Sequence, residues 1–201
     1  RARSEQAAAL HASRRPAVPP MMRAVAHEAR LMLVALQYFT RLPVPALRTF
    51  DARWLSQAVR YFPLAGLVVG ALTALVLFLA MHLFPWPVAA ALALAAAVAI
   101  TGAFHEDGLA DTFDALGGVV PRERALAIMR DSRIGTYGAL ALVTALLLRW
   151  QVLVALTPGA ALAYLLAAHP AARATAAALM ATLPYVRLEE DAKAKPVAQD
   201  V

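Results

Sequence analysis

Two long stretches of the chain are almost purely apolar, and each is interrupted once near its middle. Residues 61–104 contain no Lys, Arg, Asp or Glu, and residues 134–186 contain only two arginines. A helix needs about 20 apolar residues to cross the bilayer core, so each stretch is long enough for two crossings and a turn. Proline-containing breaks at 84–87 and 157–159 mark the turns, because proline removes a helical donor. We predict four transmembrane helices, at 63–83, 88–104, 135–156 and 160–183.

Shorter patterns flank these stretches. Residues 24–39 have apolar positions at helical spacing, but their unbroken apolar run is too short to span, which predicts an N-terminal interfacial or re-entrant helix. Pro121 sits where the first residue of a helix would, before mixed charged and apolar residues, which predicts a short cytoplasmic amphipathic helix. The predicted fold is an all-α integral membrane protein, a polytopic helical bundle.

Composition supports lipid as the solvent, because 61% of the residues are hydrophobic and only 16% are charged, against about 25% charged in soluble domains. The absence of cysteine excludes disulfides and thiolate metal sites. Residues 1–20 are rich in Ala, Arg and Pro, and we expect a disordered N-terminal tail there. Residues 21–187 are expected to form a single membrane-embedded domain, and residues 188–201 a polar tail.

The charges predict the orientation. Residues 1–60 contain ten arginines, and positive charge next to membrane helices marks the cytoplasmic side. Two hairpins then place all three charged segments in the cytoplasm, with the active face there. The excess of basic residues fits an anionic leaflet, and the chain shows no nucleic-acid-binding signature.

The densest chemical signal is the acidic segment 105–114. If it is helical, Asp107, Asp111 and Asp114 stand at i, i+4 and i+7 and share one face. Hard oxygen ligands suit Mg²⁺, which takes few carboxylates and leaves positions for substrate phosphate. The alternative is a solvated acidic helix start. His105 is either a base or phosphate ligand, or simply an interfacial histidine. Glu106 lies about 100° off the aspartate face, so it is a weak candidate for the site.

A second signal is basic. Arg130, Ser132, Arg133 and Gly135 precede the third crossing, and arginine binds phosphate oxygens in bidentate geometry. The alternative is a positive-inside anchor. Arg41, in a proline-broken segment, is a weaker phosphate-binding candidate whose alternative is an ordinary helix end.

Two further arginines lie inside predicted crossings. Arg149 is expected to reach the outer interface beside Trp150. Arg173 lies deep in the fourth crossing, where a charge is costly and by default a functional candidate.

Five segments together resemble the cobalamin synthase (adenosylcobinamide-GDP ribazoletransferase) family. The central segments, Thr101–Gly118 (TGAFHEDGLADTFDALGG) and Arg122–Gly138 (RERALAIMRDSRIGTYG), are highly specific. The supporting segments are QYFTRLPVP, RYFPLAGLVVG and ATLPYVR. The resemblance covers about residues 31–187, and because the family continues with further hydrophobic segments, we expect a C-terminally truncated form.

The resemblance implies a reaction, in which adenosylcobinamide-GDP and α-ribazole, or its 5′-phosphate, give adenosylcobalamin, or its 5′-phosphate, and GMP. It also implies a Mg²⁺ requirement, a multi-pass location in the inner membrane and, as further candidate partners, other cobalamin-assembly enzymes. Asp107, Asp111 and Asp114 would hold the metal.

Two other classes of protein are weighed against this one. CDP-alcohol phosphotransferases carry a motif that looks like D-G-x-x-A-R. Here Asp107-Gly108 is followed by Leu109-Ala110-Asp111, so the A-R pair of that motif is absent. A transporter would have acidic residues within its membrane crossings, whereas the sequence pattern here places the acidic residues at the rim of the membrane.

Overall fold

The computed structural model describes residues 19–45, 47, 51 and 53–183. The chain separates into two units, Arg1–Arg30 and Leu31–Val201. The described part is all-helical, as predicted, with no strand among its residues. Its elements are α1 (Pro20–Phe39), α2 (Arg53–Ala58), a 3₁₀ turn (Val59–Tyr61), α3 (Phe62–Ala80), α4 (Trp86–Thr101), α5 (Phe104–Leu116), α6 (Arg122–Ile128), α7 (Thr136–Ala155) and α8 (Pro158–Thr182).

Helices occupy all four predicted crossings, but they differ in how well they suit a membrane. The segment Arg53–Ala80 (28 residues, mean hydropathy 2.4) and α7 (20 residues, 1.8) are each long and apolar enough to span. The α4–α5 pair qualifies only when it is counted as one broken span. Although α8 has 25 residues, its polar residues lower its hydropathy, and it is not among the helices that qualify. The membrane class is confirmed, with two to three supported crossings.

The closest helix packing is between α3 and α8, and two glycines of α3 permit it. A Cβ added at Gly66 would lie 2.6 Å from the His169 carbonyl oxygen, and one at Gly70 would lie 2.6 Å from that of Leu165. Small residues let backbones approach in this way where lipid supplies no hydrophobic driving force. The end of α1, α2 and the start of α3 form a neighbouring core around Leu31, Phe39 and Phe62.

The predicted second crossing, 88–104, is wrong at its C-terminal end. The helix α4 ends at Thr101, and α5 begins at Phe104 after a bend of 87°. Both linking residues are left-handed, Gly102 with φ 64° and Ala103 with φ 60°. Glycine adopts this conformation freely and commonly ends helices, whereas alanine pays a strain of about 1–3 kcal/mol. The bend turns the acidic segment away from the axis of α4.

The helix α7 packs along α5 and α4, and two tryptophans fix its far end. The indole of Trp86 donates to the Val154 carbonyl at 3.1 Å, and that of Trp150 donates to the Pro87 carbonyl at 2.9 Å. These bonds satisfy the indole N–H groups where lipid offers no partner. The start of α7 therefore lies against the other end of this assembly, beside α5.

The remaining sequence predictions have mixed outcomes. The predicted helix at 24–39 is present within α1, and the predicted amphipathic helix is α6. Pro121 precedes the first helical residue of α6 rather than occupying it. The predicted tails, residues 1–20 and 188–201, lie almost wholly outside the described residues.

Candidate active site

The helix α5 carries the three predicted aspartates. Because Phe104–Leu116 is helical, the condition for Asp107, Asp111 and Asp114 to share a face is met. The bend before α5 places Asp107 in its first turn, where a carboxylate also favours the helix dipole. The structure thus arranges the acidic segment as the spacing predicted.

Asp114 has a structural partner of its own. Its Oδ2 accepts the backbone N–H of Gly135 at 2.7 Å, and its Oδ1 accepts that of Gly138 at 2.8 Å. The carboxylate therefore binds the first turn of α7 from 21 and 24 residues away, as an N-capping side chain does for its own helix. Gly138 allows this approach, since an added Cβ would lie 2.8 Å from the Ala110 carbonyl oxygen. Gly135 is one of the predicted phosphate-binding residues, and in the structure its N–H donates to Asp114.

The donors of α5 fit a magnesium ion only in part. No group of three or more His, Cys, Asp or Glu side chains within the described ranges is arranged to hold a metal. Asp114 is engaged with the two amides, so the three-carboxylate arrangement is not assembled. Asp107 and Asp111, one helical turn apart on α5, each carry a carboxylate, which is a hard oxygen donor. Two carboxylates together with substrate phosphates are a usual environment for Mg²⁺, so these two residues fit the ion.

Arg41 and Asp107 line a common groove of about 440 Å³ beside the bend. Thr40 ends α1 through its hydroxyl, which donates to the Leu36 carbonyl at 2.7 Å. The next amide, that of Arg41, donates to the Ile100 carbonyl at 2.8 Å. This bond fixes the segment after α1 against the end of α4. The groove therefore combines one guanidinium with one carboxylate, as a site for a metal-bound phosphate would.

Gly102 shapes the same groove. A Cβ added there would collide with the Arg41 side chain, and the left-handed backbone already disfavours any side chain. The glycine is therefore required both for the bend and for the position of Arg41.

The loop before α7 holds the other predicted phosphate ligands, Arg130, Ser132, Arg133 and Gly135. Arg133 binds Asp131 through two guanidinium nitrogens, with Nη2–Oδ2 at 2.6 Å. This contact holds the pKa of Asp131 well below its usual range, at about 2, chiefly through the side-chain hydrogen bond from Arg133. Asp131 is therefore ionised near neutrality, and the pair is lost only as the pH falls through about 2. The pair is exposed, so a substrate phosphate could replace the carboxylate at low cost.

His105 lies at the start of α5, against the end of α1. Its ring stacks on Phe39, with centroids 5.7 Å apart and an interplanar angle of 15°. This contact orients an otherwise exposed imidazole. The histidine does not line the groove of Arg41 and Asp107; it lines a second cavity together with Glu106.

Arg149 corrects one sequence prediction. Instead of reaching the outer interface, its Nη1 donates to Glu106 Oε1 at 2.8 Å. The Glu106 side chain is only 13% exposed, so one acidic residue does lie inside the helix assembly. The sequence argument against a transporter, that all acids lie at a rim, is therefore wrong for Glu106. The pairing also gives Glu106, a weak candidate from spacing, a defined role in joining α5 to α7.

Comparison with known proteins identifies the family. The sequence profile described as cobalamin-5-phosphate synthase matches residues 31–201. A relative from Leptothrix cholodnii, named adenosylcobinamide-GDP ribazoletransferase, is 52% identical over 183 residues, covering 90% of this chain and 69% of the relative. The chain belongs to the cobalamin-5-phosphate synthase family. Two further relatives have the same name. The one from Ralstonia nicotianae is 49% identical and covers 89% of this chain and 70% of the relative. The one from Shewanella frigidimarina is 48% identical and covers 86% of this chain and 67% of the relative. No solved structure matches the chain.

For this member of the cobalamin-5-phosphate synthase family, the sequence predicted Arg173 as a functional candidate but not the group of residues that surrounds it. Glu106, Arg149 and Arg173 line a second cavity, which shares Thr101 with the groove of Arg41 and Asp107. The two pockets therefore meet at Thr101, the last residue of α4. The signal that could have found the group was an isolated arginine in each apolar helix, since an intramembrane charge requires a partner.

Proposed function

We propose that this chain is an adenosylcobinamide-GDP ribazoletransferase. It joins adenosylcobinamide-GDP and α-ribazole, or α-ribazole 5′-phosphate, to give adenosylcobalamin, or its 5′-phosphate, and releases GMP. The observation that carries the proposal, beside the family membership, is the groove that brings Arg41 to Asp107 at the start of α5. A guanidinium beside a carboxylate suits a pyrophosphate that is bound partly directly and partly through a divalent cation.

Asp107 and Asp111 would hold a Mg²⁺ ion. When bound, the ion would supply charge neutralisation to the pyrophosphate, as divalent cations do in phosphoryl transfer. Asp114 then acts as a positioning residue, because its bonds to Gly135 and Gly138 fix α5 against α7. Arg41, which lines the same groove as Asp107, binds the pyrophosphate, and Arg133 exchanges Asp131 for a phosphate oxygen.

The reaction itself is a displacement at phosphorus. The ribose hydroxyl oxygen of the acceptor forms a bond to the phosphorus on the cobinamide side, and the bridging P–O bond breaks so that GMP leaves. His105 accepts the hydroxyl proton, because its ring is stacked on Phe39 and lines the second cavity, which shares Thr101 with the groove. Such transfers depend mainly on positioning and charge neutralisation.

We further propose that the protein lies in the inner membrane, with this face in the cytoplasm. The ten arginines of residues 1–60 support that orientation. The natural lack of cysteine gives a clean background for labelling. Cysteine introduced at Gly159 should react with an impermeant thiol reagent in intact cells, and cysteine at Val120 should react only after permeabilisation. Labelling of the Val120 site in intact cells would contradict the orientation.

The direct test is an assay of the purified chain in lipid nanodiscs. Adenosylcobinamide-GDP, Mg²⁺ and either α-ribazole or α-ribazole 5′-phosphate are supplied, and both the corrinoid product and GMP are measured. Equal amounts of the two products support the proposal. GMP release without a joined corrinoid would indicate hydrolysis only, and the absence of both products would contradict the activity of this chain.

A further inference from the structure

The second cavity, lined by Glu106, Arg149 and Arg173, has a volume of about 270 Å³. Arg173 is only 3% exposed. Its Nη1 donates to the His169 carbonyl at 3.1 Å, and its guanidinium lies 5.1 Å from the centre of the Phe39 ring. Among the described residues, Arg173 Nε and Nη2 and Glu106 Oε2 have no hydrogen-bond partner. The cavity therefore presents two unused donors and one unused acceptor.

Buried arginine is costly in this position. Arg173 is nine residues from the end of α8, hence about 14 Å along the helix. Leaving donors of a buried charged group unsatisfied adds a further desolvation penalty. Glu106 is the one acidic residue that lines the cavity, against two arginines, and it pairs with Arg149 at 2.8 Å, so the described lining carries one net positive charge. A bound anion would supply both the missing charge and the missing acceptors.

The remaining lining restricts what else the ligand carries. Leu94, Leu165 and Tyr164 form apolar and aromatic walls, which suit a planar base. Glu106 Oε2 requires a donor such as a hydroxyl. The volume lies just below the range of about 300–1,000 Å³ typical of small-molecule sites, so part of a nucleotide fits inside and the rest lies in the opening. An anion, a hydroxyl and an aromatic base together describe a nucleoside monophosphate.

We propose that this cavity binds the acceptor substrate, and that Arg173 binds its 5′-phosphate while Glu106 accepts a hydrogen bond from its ribose. The inference rests on the proposed function and adds a specificity determinant to it. A transfer between two substrates needs two adjoining sites, and the cavity adjoins the groove of Arg41 and Asp107 through their shared Thr101. Arg173 thus selects the phosphorylated acceptor over the free nucleoside.

The two residues should have separable kinetic effects. Arg173→Gln should raise KM for α-ribazole 5′-phosphate by about 10- to 100-fold, the loss expected for charged hydrogen bonds. It should change KM for α-ribazole and for adenosylcobinamide-GDP by less than about threefold. Glu106→Gln should raise KM for both acceptors equally, because they share the ribose. Arg53→Gln, at an exposed arginine outside both pockets, is the matched control and should change none of these constants.

Inorganic phosphate gives a second measurement, because it would occupy the place of the 5′-phosphate beside Arg173. It should inhibit competitively against α-ribazole 5′-phosphate in the wild-type protein, and this inhibition should be lost in both Arg173→Gln and Arg173→Lys. Equal effects of Arg173→Gln on both acceptors, or phosphate inhibition that survives both variants, would overturn the assignment. A phospholipid that co-purifies with the wild type, is lost in Arg173→Gln and is not displaced by α-ribazole 5′-phosphate would assign the cavity to lipid instead.

Failure of the proposed function would be seen separately. If the wild-type protein forms no product with either acceptor, the transferase assignment fails. The anion site is then judged by thermal stabilisation with inorganic phosphate, which should occur in the wild type and not in Arg173→Gln. Absence of that stabilisation in the wild type would overturn the site as well.

Discussion

Replacement of Asp114 by Asn tests whether this aspartate joins two helices rather than binding metal. The wild-type carboxylate accepts two backbone N–H groups, those of Gly135 and Gly138, at 2.7 and 2.8 Å. Asparagine has one acceptor oxygen, so one amide loses its partner and faces an NH₂ group instead. Asp107→Asn is the matched control, since Asp107 lies on the same helix without such a bond to α7.

The size of the effect follows from these two bonds. A hydrogen bond to a charged group contributes about 1.5–3 kcal/mol, and loss of a capping side chain costs about 0.5–2 kcal/mol. We therefore expect Asp114→Asn to lose about 1.5–3 kcal/mol. For a chain of this size, about 2–4 °C in Tm corresponds to each kcal/mol, which predicts a decrease of about 3–12 °C.

The assay is thermal unfolding of the purified protein in one detergent at constant concentration, followed by circular dichroism. Asp107→Asn should stay within about 2 °C of wild type, because its side chain is at the surface. If both variants unfolded at the same temperature, Asp114 would not be the link between α5 and α7, and its original assignment as a metal ligand would regain support.

Two further predictions use pairs of matched variants. Arg133→Lys should lower kcat/KM by at least about tenfold, because lysine cannot replace a bidentate guanidinium. Arg53→Lys alters the same Asp-x-Arg hydrogen-bond pattern outside the site and should keep wild-type kinetics. Equal kinetics in the two variants would leave Arg133 only the role of a membrane anchor. Gly70→Ala should lower Tm by about 2–12 °C, the range for about 1–3 kcal/mol of overpacking, because its Cβ would lie 2.6 Å from the Leu165 carbonyl oxygen. Gly108→Ala, whose Cβ enters open space, should leave Tm unchanged or raise it, and a similar fall in both variants would refute the close packing of α3 on α8.

The sequence predicted the helices well because their signals are local. Apolar runs and proline breaks depend on neighbouring residues, so the starts of α4 and α8 follow directly from Pro85 and Pro158. The bend after α4 was missed, although Thr101-Gly102 contains a typical C-terminal glycine signal. The second left-handed residue, Ala103, carries no such signal, and tertiary packing determines it.

The site was predicted less completely because side-chain partners are not local. Spacing placed the aspartates on one face, but it could not show that Asp114 binds amides 21 and 24 residues away. The pairing of Glu106 with Arg149, 43 residues apart, was missed for the same reason. Isolated charges in apolar helices signal that a partner exists, but only the packing of α5 against α7 identifies it.

The Mg²⁺ dependence of GMP release tests the central claim most directly. The claim is that Asp107 and Asp111 hold the ion at the substrate pyrophosphate. Removal of Mg²⁺ with a chelator should abolish turnover in the wild type, and Asp107→Asn should raise the Mg²⁺ concentration for half-maximal rate by at least about tenfold, since a carboxylate ligand is lost. Asp51→Asn, an exposed acid paired with Arg53, should leave that concentration unchanged. The account would be contradicted if Asp107→Asn reached its half-maximal rate at the same Mg²⁺ concentration as the wild type, or if the wild type kept full turnover in the chelator.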